Sequence, residues 1–429
     1  MNYTYKKIWL INIPVMMSVL IEQLINITDA IFLGHVGDIE LGASALAGIW
    51  FLAIYMLGFG FSLGLQVVIA RRNGEQHFSE TGKTFFQGLF ALSAMAVLLC
   101  TLSKLFSPVI LKHLITSDDV YDAVIRYLDW RIWGLLFSFP FLALRSFVVG
   151  TTQTKALTIA AITAVLVNIP GNYLLIFQYG RGIAGAAMAS SLAELCSLLV
   201  LLVYVHGYMD KSRYGLHCRF DGNILEKVFR ISVWSMFQSF ISVAPWFLFF
   251  VAIEHLGEMQ LAVANIIRSL STLFFVIVHS FATTTGSLVS NLIGANERNR
   301  VLVLCRQVIR LGYATGFPLI LLALLFHQPV ISIYTDNSFL VQEAGLPFVV
   351  MLLNYVFALP GYVYMNAVTG TGATRTAFLF QAITIGLYLL YLQLMSDWNV
   401  PLAAFWSAEY LFVILLAVQS VIYLKKKHY

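Results

Sequence analysis

The chain matches itself at a fixed offset of 220 residues, and that offset restricts its fold more than any other feature. His35-Val36-Gly37 returns as His255-Leu256-Gly257, Leu41 as Leu261, Phe61 as Phe281 and Gly74 as Gly294. Leu105-Phe106 returns as Leu325-Phe326, Pro140 as Pro360, Gly150-Thr151 as Gly370-Thr371, and Thr154-Lys155 as Thr374-Arg375. Gly and Pro supply 29 and 10 of the 429 residues, so four Gly or Pro coincidences in one register are not an accident of composition. A unit this long is no solenoid repeat. It makes the chain two half-proteins, and in a membrane chain paired halves mark a secondary transporter.

The chain is a membrane chain. Apolar residues are 59% and charged residues 11%, against about 25% charged in a soluble domain. A helix that crosses a bilayer needs about 20 mostly apolar residues. Twelve such segments can be drawn, near 8–33, 41–70, 82–106, 127–149, 156–177, 183–207, 228–253, 261–292, 301–326, 345–368, 377–396 and 400–424. The expected fold is all-α, with twelve transmembrane helices in two six-helix bundles related by a parallel internal repeat. The expected division is an N-terminal lobe at 1–207, a cytoplasmic linker at 208–227 and a C-terminal lobe at 228–429. The apolar run after Lys6 and Lys7 is too long for a signal-peptide core, so it reads as a retained first helix. Cys100, Cys196, Cys218 and Cys305 have no paired spacing, which argues against a disulfide framework or a zinc site.

Positive charge sets the orientation. With these spans, nineteen of the 26 Lys and Arg residues fall on one side. Lys104, Lys112, Arg126, Arg131 and Arg181 fall on the other, and Arg145 and Arg268 fall within spans. Both termini are therefore expected in the cytoplasm. An even number of spans per half makes both halves enter from the same side.

The ordered motifs resemble the multidrug and toxic compound extrusion (MATE) family. They are Pro14 in the first helix, Asp29-Ala-Ile-Phe-Leu-Gly34, His35-Val-Gly37, and a second helix closing in Gln66 and Gly74. Asn168-Ile-Pro-Gly-Asn172-Tyr173-Leu-Leu-Ile-Phe177 and Gly182-Ile-Ala-Gly185-Ala-Ala187 follow in the fifth and sixth helices. The resemblance spans nearly the whole chain. It implies a V-shaped pair of bundles in a bacterial-type inner (plasma) membrane. It also implies a secondary exporter, functional as a monomer, that couples entry of sodium or protons to expulsion of amphipathic, often cationic small molecules. No further cofactor, no metal beyond a possible sodium at Asp29, and no nucleic acid is implied.

Ionisable side chains inside spans are costly and are functional candidates by default. Glu22, Asn26 and Asp29 lie at i, i+4 and i+7 of the first helix, one polar stripe about 10 Å long. Such a stripe belongs against a cavity rather than lipid. The bland reading is that Asp29 only braces neighbouring helices. Asn168 and Asn172 share one face of the fifth helix, where interhelical hydrogen bonding is the competing use. The resemblance matches Asp29 to the family's ion-linked aspartate and Asn168 to an asparagine near it. Asn172 stands where some members carry aspartate, which weakens a two-carboxylate proton relay. These five residues form the expected cation-coupling set.

Adding 220 to Glu22, Asn26 and Asp29 lands on Ser242, Trp246 and Phe249, which places ion coupling in the first half. Some relatives carry acids in the seventh and tenth helices. Here the seventh offers Gln238 and Ser242, and the tenth is uncharged around Ala358 and Pro360. Gln238, Ser242, Trp246, Phe249 and His279 are the expected substrate-cavity residues. The rings of Trp246, Phe247, Phe249 and Phe250 offer cation–π surface, with packing against lipid or other helices as the alternative. Glu194 and Glu409 are expected to neutralise a partner or face a cleft, and Arg145 to snorkel. Arg268 is expected to snorkel or to pair with a carboxylate. Pro14, Pro140, Pro170, Pro245 and Pro360 are expected to bend spans.

No phosphate-binding loop, metal-ligand cluster or nucleophile motif is present, so ATP-driven transport and enzymatic catalysis lack support. Two other readings rank lower. A flippase for lipid-linked precursors asks for a strongly basic cleft. A membrane-embedded lipid-modifying enzyme asks for clustered histidines, and the nine histidines are scattered.

Overall fold

The computed structural model describes residues 3–115, 117–254, 258–333, 338–398 and 400–429, without the side chains of Asp38, Phe247, Val251, Glu254 and Glu258. The repeat partners His255, Leu256 and Gly257 and the Phe247 ring therefore lie outside the described residues. Twelve helices are long and apolar enough to cross a membrane. They are α1 Tyr5–Gly34, α2 Ile39–Gly74, α3 Phe78–Leu114, α4 Asp118–Gly150, α5 Lys155–Gln178 and α6 Gly182–Gly207. The second set is α7 Gly222–Phe250, α8 Met259–Gly294, α9 Arg298–Leu325, α10 Ser338–Gly370, α11 Thr374–Asp397 and α12 Leu402–Lys426. Every segment drawn from hydropathy is present as helix. Helix is the form required, because hydrocarbon offers no partner to a backbone N–H or C=O. Leu105, Leu166, Leu321 and Leu390 are 58–68% exposed, a surface suited to acyl chains rather than water.

The 220-residue offset reappears in the backbone. Ile39–Gly74 and Asp118–Gly150 recur as Met259–Gly294 and Ser338–Gly370. The 3-10 turn at Ile132–Gly134 inside α4 has its counterpart in the break at Asn354 inside α10. Gln76 and Asn296 share the left-handed conformation at φ 61° and 60°, and Thr152 and Gly372 share it at 61° and 87°.

The described residues divide into two compact units, 13–236 and 1–12 with 237–429. Hydrogen bonds tie the stretches near both cuts to their units. Asn12 is fully buried, donates to Ser280 Oγ at 3.4 Å and accepts from Thr284 Oγ1 at 2.8 Å, which groups residues 1–12 with α8. In the linker, Gln87 of α3 donates to the Arg219 carbonyl at 2.7 Å and accepts from the Asp221 amide at 3.0 Å. That anchors the stretch after α6 to the first unit.

Three of the bend-prone prolines lie at or near irregular or charged stretches of helix. Pro170 denies the Leu166 carbonyl its usual i+4 donor, and just beyond it α5 widens into π-helix over Tyr173–Gln178. Such bulges recur at functional sites. Pro245 comes just after the break at Ser242 and Val243 in α7. Pro140 lies within the helix that carries Arg145.

Candidate functional site

The polar residues of the first unit converge on Asp29, one turn before the end of α1. Asn168 and Asn172 lie one turn apart on α5, so both amides reach the same point. Each Nδ2 donates to Asp29 Oδ1, Asn168 at 3.1 Å and Asn172 at 2.5 Å. Ser190 of α6 donates to Asp29 Oδ2 at 2.7 Å. The holders are tied to one another: Asn168 Nδ2 also donates to Ser190 Oγ, and Asn172 Nδ2 to Asn168 Oδ1, both at 3.2 Å. Both asparagines are fully buried. Asp29 therefore faces helices of its own bundle and not the acyl chains.

This nest has one oxygen to spare. Asn172 Oδ1 is buried without a hydrogen-bond partner among the described residues, and an orphan acceptor in a membrane interior is expensive. The carboxylate, two amide oxygens and a hydroxyl are all hard oxygen donors of the kind a small alkali cation takes. A protonated Asp29 fits the same acceptors. The residues present thus fit either coupling ion, and they hold no second carboxylate in the nest.

Ser190 is the member that sequence reasoning missed. It lies in a stretch of small residues, Gly182–Ser191, where a serine ordinarily signals close helix packing. Close packing is also present: a Cβ at Gly185 would collide with the Leu175 backbone, so only glycine lets α6 lie against the π-turn of α5.

Glu22 is exposed, yet it lies within electrostatic range of Arg131, Arg145 and Glu194, which sit on two other helices of the bundle. It therefore looks toward the bundle interior and not into the nest. Asn26 is exposed and hydrogen-bonds to no described residue, so the structure does not bring it to Asp29. Beside the nest, Arg131 and Glu194 form a bidentate ion pair with N–O distances of 3.0 and 2.7 Å. Arg131 also lies over the Phe51 ring at 3.7 Å and within electrostatic range of Asp29.

Two expectations about charge need correction. A fourth span beginning at 127 puts Arg131 at its outer, loop-side end, but the helix starts at Asp118 and carries Arg131 inside the span. Arg145 does not snorkel. It is 6% exposed, with its guanidinium 5.7 Å from the Phe59 ring centre.

Of the expected cavity residues in the second unit, Phe249 belongs to the core. Ser242 donates to the Ser239 carbonyl at 2.6 Å, beside the break in α7, and Gln238 is half-buried. Phe249 is fully buried with its ring 4.8 Å from that of Trp406, so it is core and lines no cavity. Trp246 and Phe250 are the half-buried rings of that stretch, stacked at 6.5 Å. The Arg268 guanidinium covers Phe250 at 5.4 Å. His279 is exposed, 5.4 Å from the Tyr362 ring.

Comparison with known proteins agrees with the twelve-helix fold. The MatE family model matches residues 14–174 and 235–392, one block in each half. A probable multidrug resistance protein NorM from Shewanella oneidensis is 22% identical over 416 residues, covering 93% of this chain and 89% of its own. The multidrug resistance protein NorM of Vibrio cholerae is 24% identical over 344 residues, covering 77% and 74%. Among solved structures, an outward-facing multidrug resistance MATE transporter of the MOP superfamily superposes with a TM-score of 0.91 at 18% identity, over 99% of this chain and 96% of that one. A MOP superfamily transporter from Pyrococcus furiosus, described as having a binding pocket of reversed polarity, gives 0.89 at 17% identity over the same shares.

Proposed function

The chain belongs to the MatE family of membrane transporters and is not an enzyme; from that premise we propose that it is a cation-coupled multidrug exporter. It expels amphipathic, often cationic compounds in exchange for sodium or protons by alternating access. The observation that carries this reading is the Asp29 carboxylate, held by Asn168, Asn172 and Ser190 with the Asn172 oxygen left over. The curated relatives named for multidrug resistance support the substrate class.

In this mechanism an unoccupied Asp29 is a fixed negative charge inside the first unit and favours the state that accepts a cationic compound. A proton or sodium at Asp29 cancels that charge, relaxes the amide holders and lowers affinity for the compound. The two events exclude each other, which is the condition for exchange. Residues 1–207 and 228–429 act as the transport lobes and 208–227 as a cytoplasmic linker. The protein works as a monomer in a bacterial-type inner membrane with both termini inside. The spare oxygen favours a small cation over the anionic head of a lipid-linked precursor, which the flippase reading requires.

The test is ethidium efflux from liposomes carrying separately imposed sodium and proton gradients. We expect wild-type efflux to follow at least one gradient and Asp29→Asn to lose that dependence. Gradient-driven efflux that survives in Asp29→Asn would remove the carboxylate from the mechanism.

A further inference from the structure

The second unit holds a carboxylate of its own, Glu409, one residue before the repeat partner of Ser190, which is Tyr410. Tyr388 of α11 lies 220 residues after Asn168, and Glu409 of α12 lies 219 after Ser190. Where the first unit sets an asparagine and a serine around Asp29, the second sets a tyrosine against a glutamate. Asp29 itself corresponds to Phe249, which is core. The acid has thus changed helix, while the locus has kept its polarity.

Tyr388 Oη donates to Glu409 Oε1 at 2.7 Å, and this is the one hydrogen bond to the carboxyl among the described residues. α12 packs on α10 and α11. From α10 the group facing Glu409 is Tyr362, and from α11 it is Tyr388, with Tyr391 a turn away on Ser407 at 2.9 Å. None of these is basic, and no charged group among the described residues acts on the carboxyl. His279 of α8 reaches it only through the Tyr362 ring. Glu409 is only half-buried, so a ligand has access to it.

A carboxylate at membrane depth without a cationic partner is too costly to stay ionised alone. It must carry a proton or receive a cation. Small metal ions ask for several converging oxygens, and here there is one phenol. An organic cation asks for one counter-charge and a flat ring, and the half-buried Tyr362 supplies the ring.

We propose that Glu409 is the counter-charge for the head of a transported organic cation in the second unit, which binds as the carboxyl gives its proton to water. This rests on the exporter reading and assigns that reading a substrate-contacting residue.

The experiment uses purified full-length protein in lipid nanodiscs and two probes, tetraphenylphosphonium and neutral triphenylphosphine oxide. Binding is followed by calorimetry in buffers of different ionisation enthalpy, which also counts protons released. The wild-type protein serves as the background, and the proton count is read as the difference between it and Glu409→Gln, so that a contribution from Asp29 cancels. We expect Glu409→Gln to weaken phosphonium binding about 30-fold and to release one proton fewer than wild type, with the neutral probe unchanged. Glu409→Asp, which keeps the charge, retains both the preference for the cation and the released proton. Equal weakening of both probes in Glu409→Gln, or of neither, overturns the assignment. Wild-type protein in liposomes that exports neither ethidium nor tetraphenylphosphonium under either gradient overturns the exporter reading, and this inference with it.

Discussion

Removing the charge of Glu194 is the sharpest test of how the first unit is held together. Arg131 and Glu194 are 13% and 23% exposed and joined by two short hydrogen bonds. Glu194→Gln leaves the guanidinium without its counter-charge between α4 and α6. Breaking a buried pair from one side costs about 3–5 kcal/mol, and the partial exposure of Glu194 places this case near about 3 kcal/mol. For a unit of this size that corresponds to a fall of roughly 6–12 °C in Tm. Replacing both partners by apolar residues, as in Arg131→Met with Glu194→Leu, should cost about 1 kcal/mol or less, because no charge is then stranded. Methionine also keeps a side chain over Phe51. Gly134→Ala provides a backbone route to the same break, since its Cβ would collide with both Arg131 Nη1 and Glu194 Oε2. The assay is thermal unfolding in nanodiscs for these variants, the two single substitutions and the wild type. If the double variant loses the sum of the two single losses, the pair is not a coupled unit and the reasoning fails.

Ser190→Ala removes one of the three donors to Asp29 and leaves the asparagines in place. A hydrogen bond to a charged group contributes about 1.5–3 kcal/mol, so efflux should need a roughly tenfold different driving-ion concentration at unchanged expression; an unaltered ion dependence would count against Ser190. Cys218 is the exposed cysteine, with Cys196 half-buried and Cys100 and Cys305 buried. A membrane-impermeant maleimide should label it in inside-out vesicles and not in intact cells, and labelling from outside would reverse the proposed topology.

The span pattern was legible because hydropathy and the 220-residue offset act locally, and the ends of α2 and α4 recur in α8 and α10 at that offset. Asp29, Asn168 and Asn172 were legible because each is an unusual residue on a helix face in an apolar span. Ser190 and Arg131 were not, and the reasons differ. A serine among small residues looks like packing, and only the approach of α1 turns it into a donor. The acids from Asp118 to Asp129 make the start of α4 look like a loop, and the partner that admits Arg131 to the membrane lies 63 residues further on. Phe249 shows the remaining gap: a run of rings carries no periodic signal for which ring turns inward, and contact with Trp406 decides it.

The widened turn after Pro170 has a consequence for how a small ion meets the protein. A proline followed by π-helix leaves carbonyls of α5 short of their normal donors, next to the asparagines that grip Asp29. Hydrocarbon cannot repair such a gap, and the π turn does so by shifting the bonds to donors one residue further on. A stretch of irregular backbone is thereby stationed beside the Asp29 carboxylate. Loosening that single loop of helix would change how readily a small ion comes and goes, with no need for the rest of the bundle to soften.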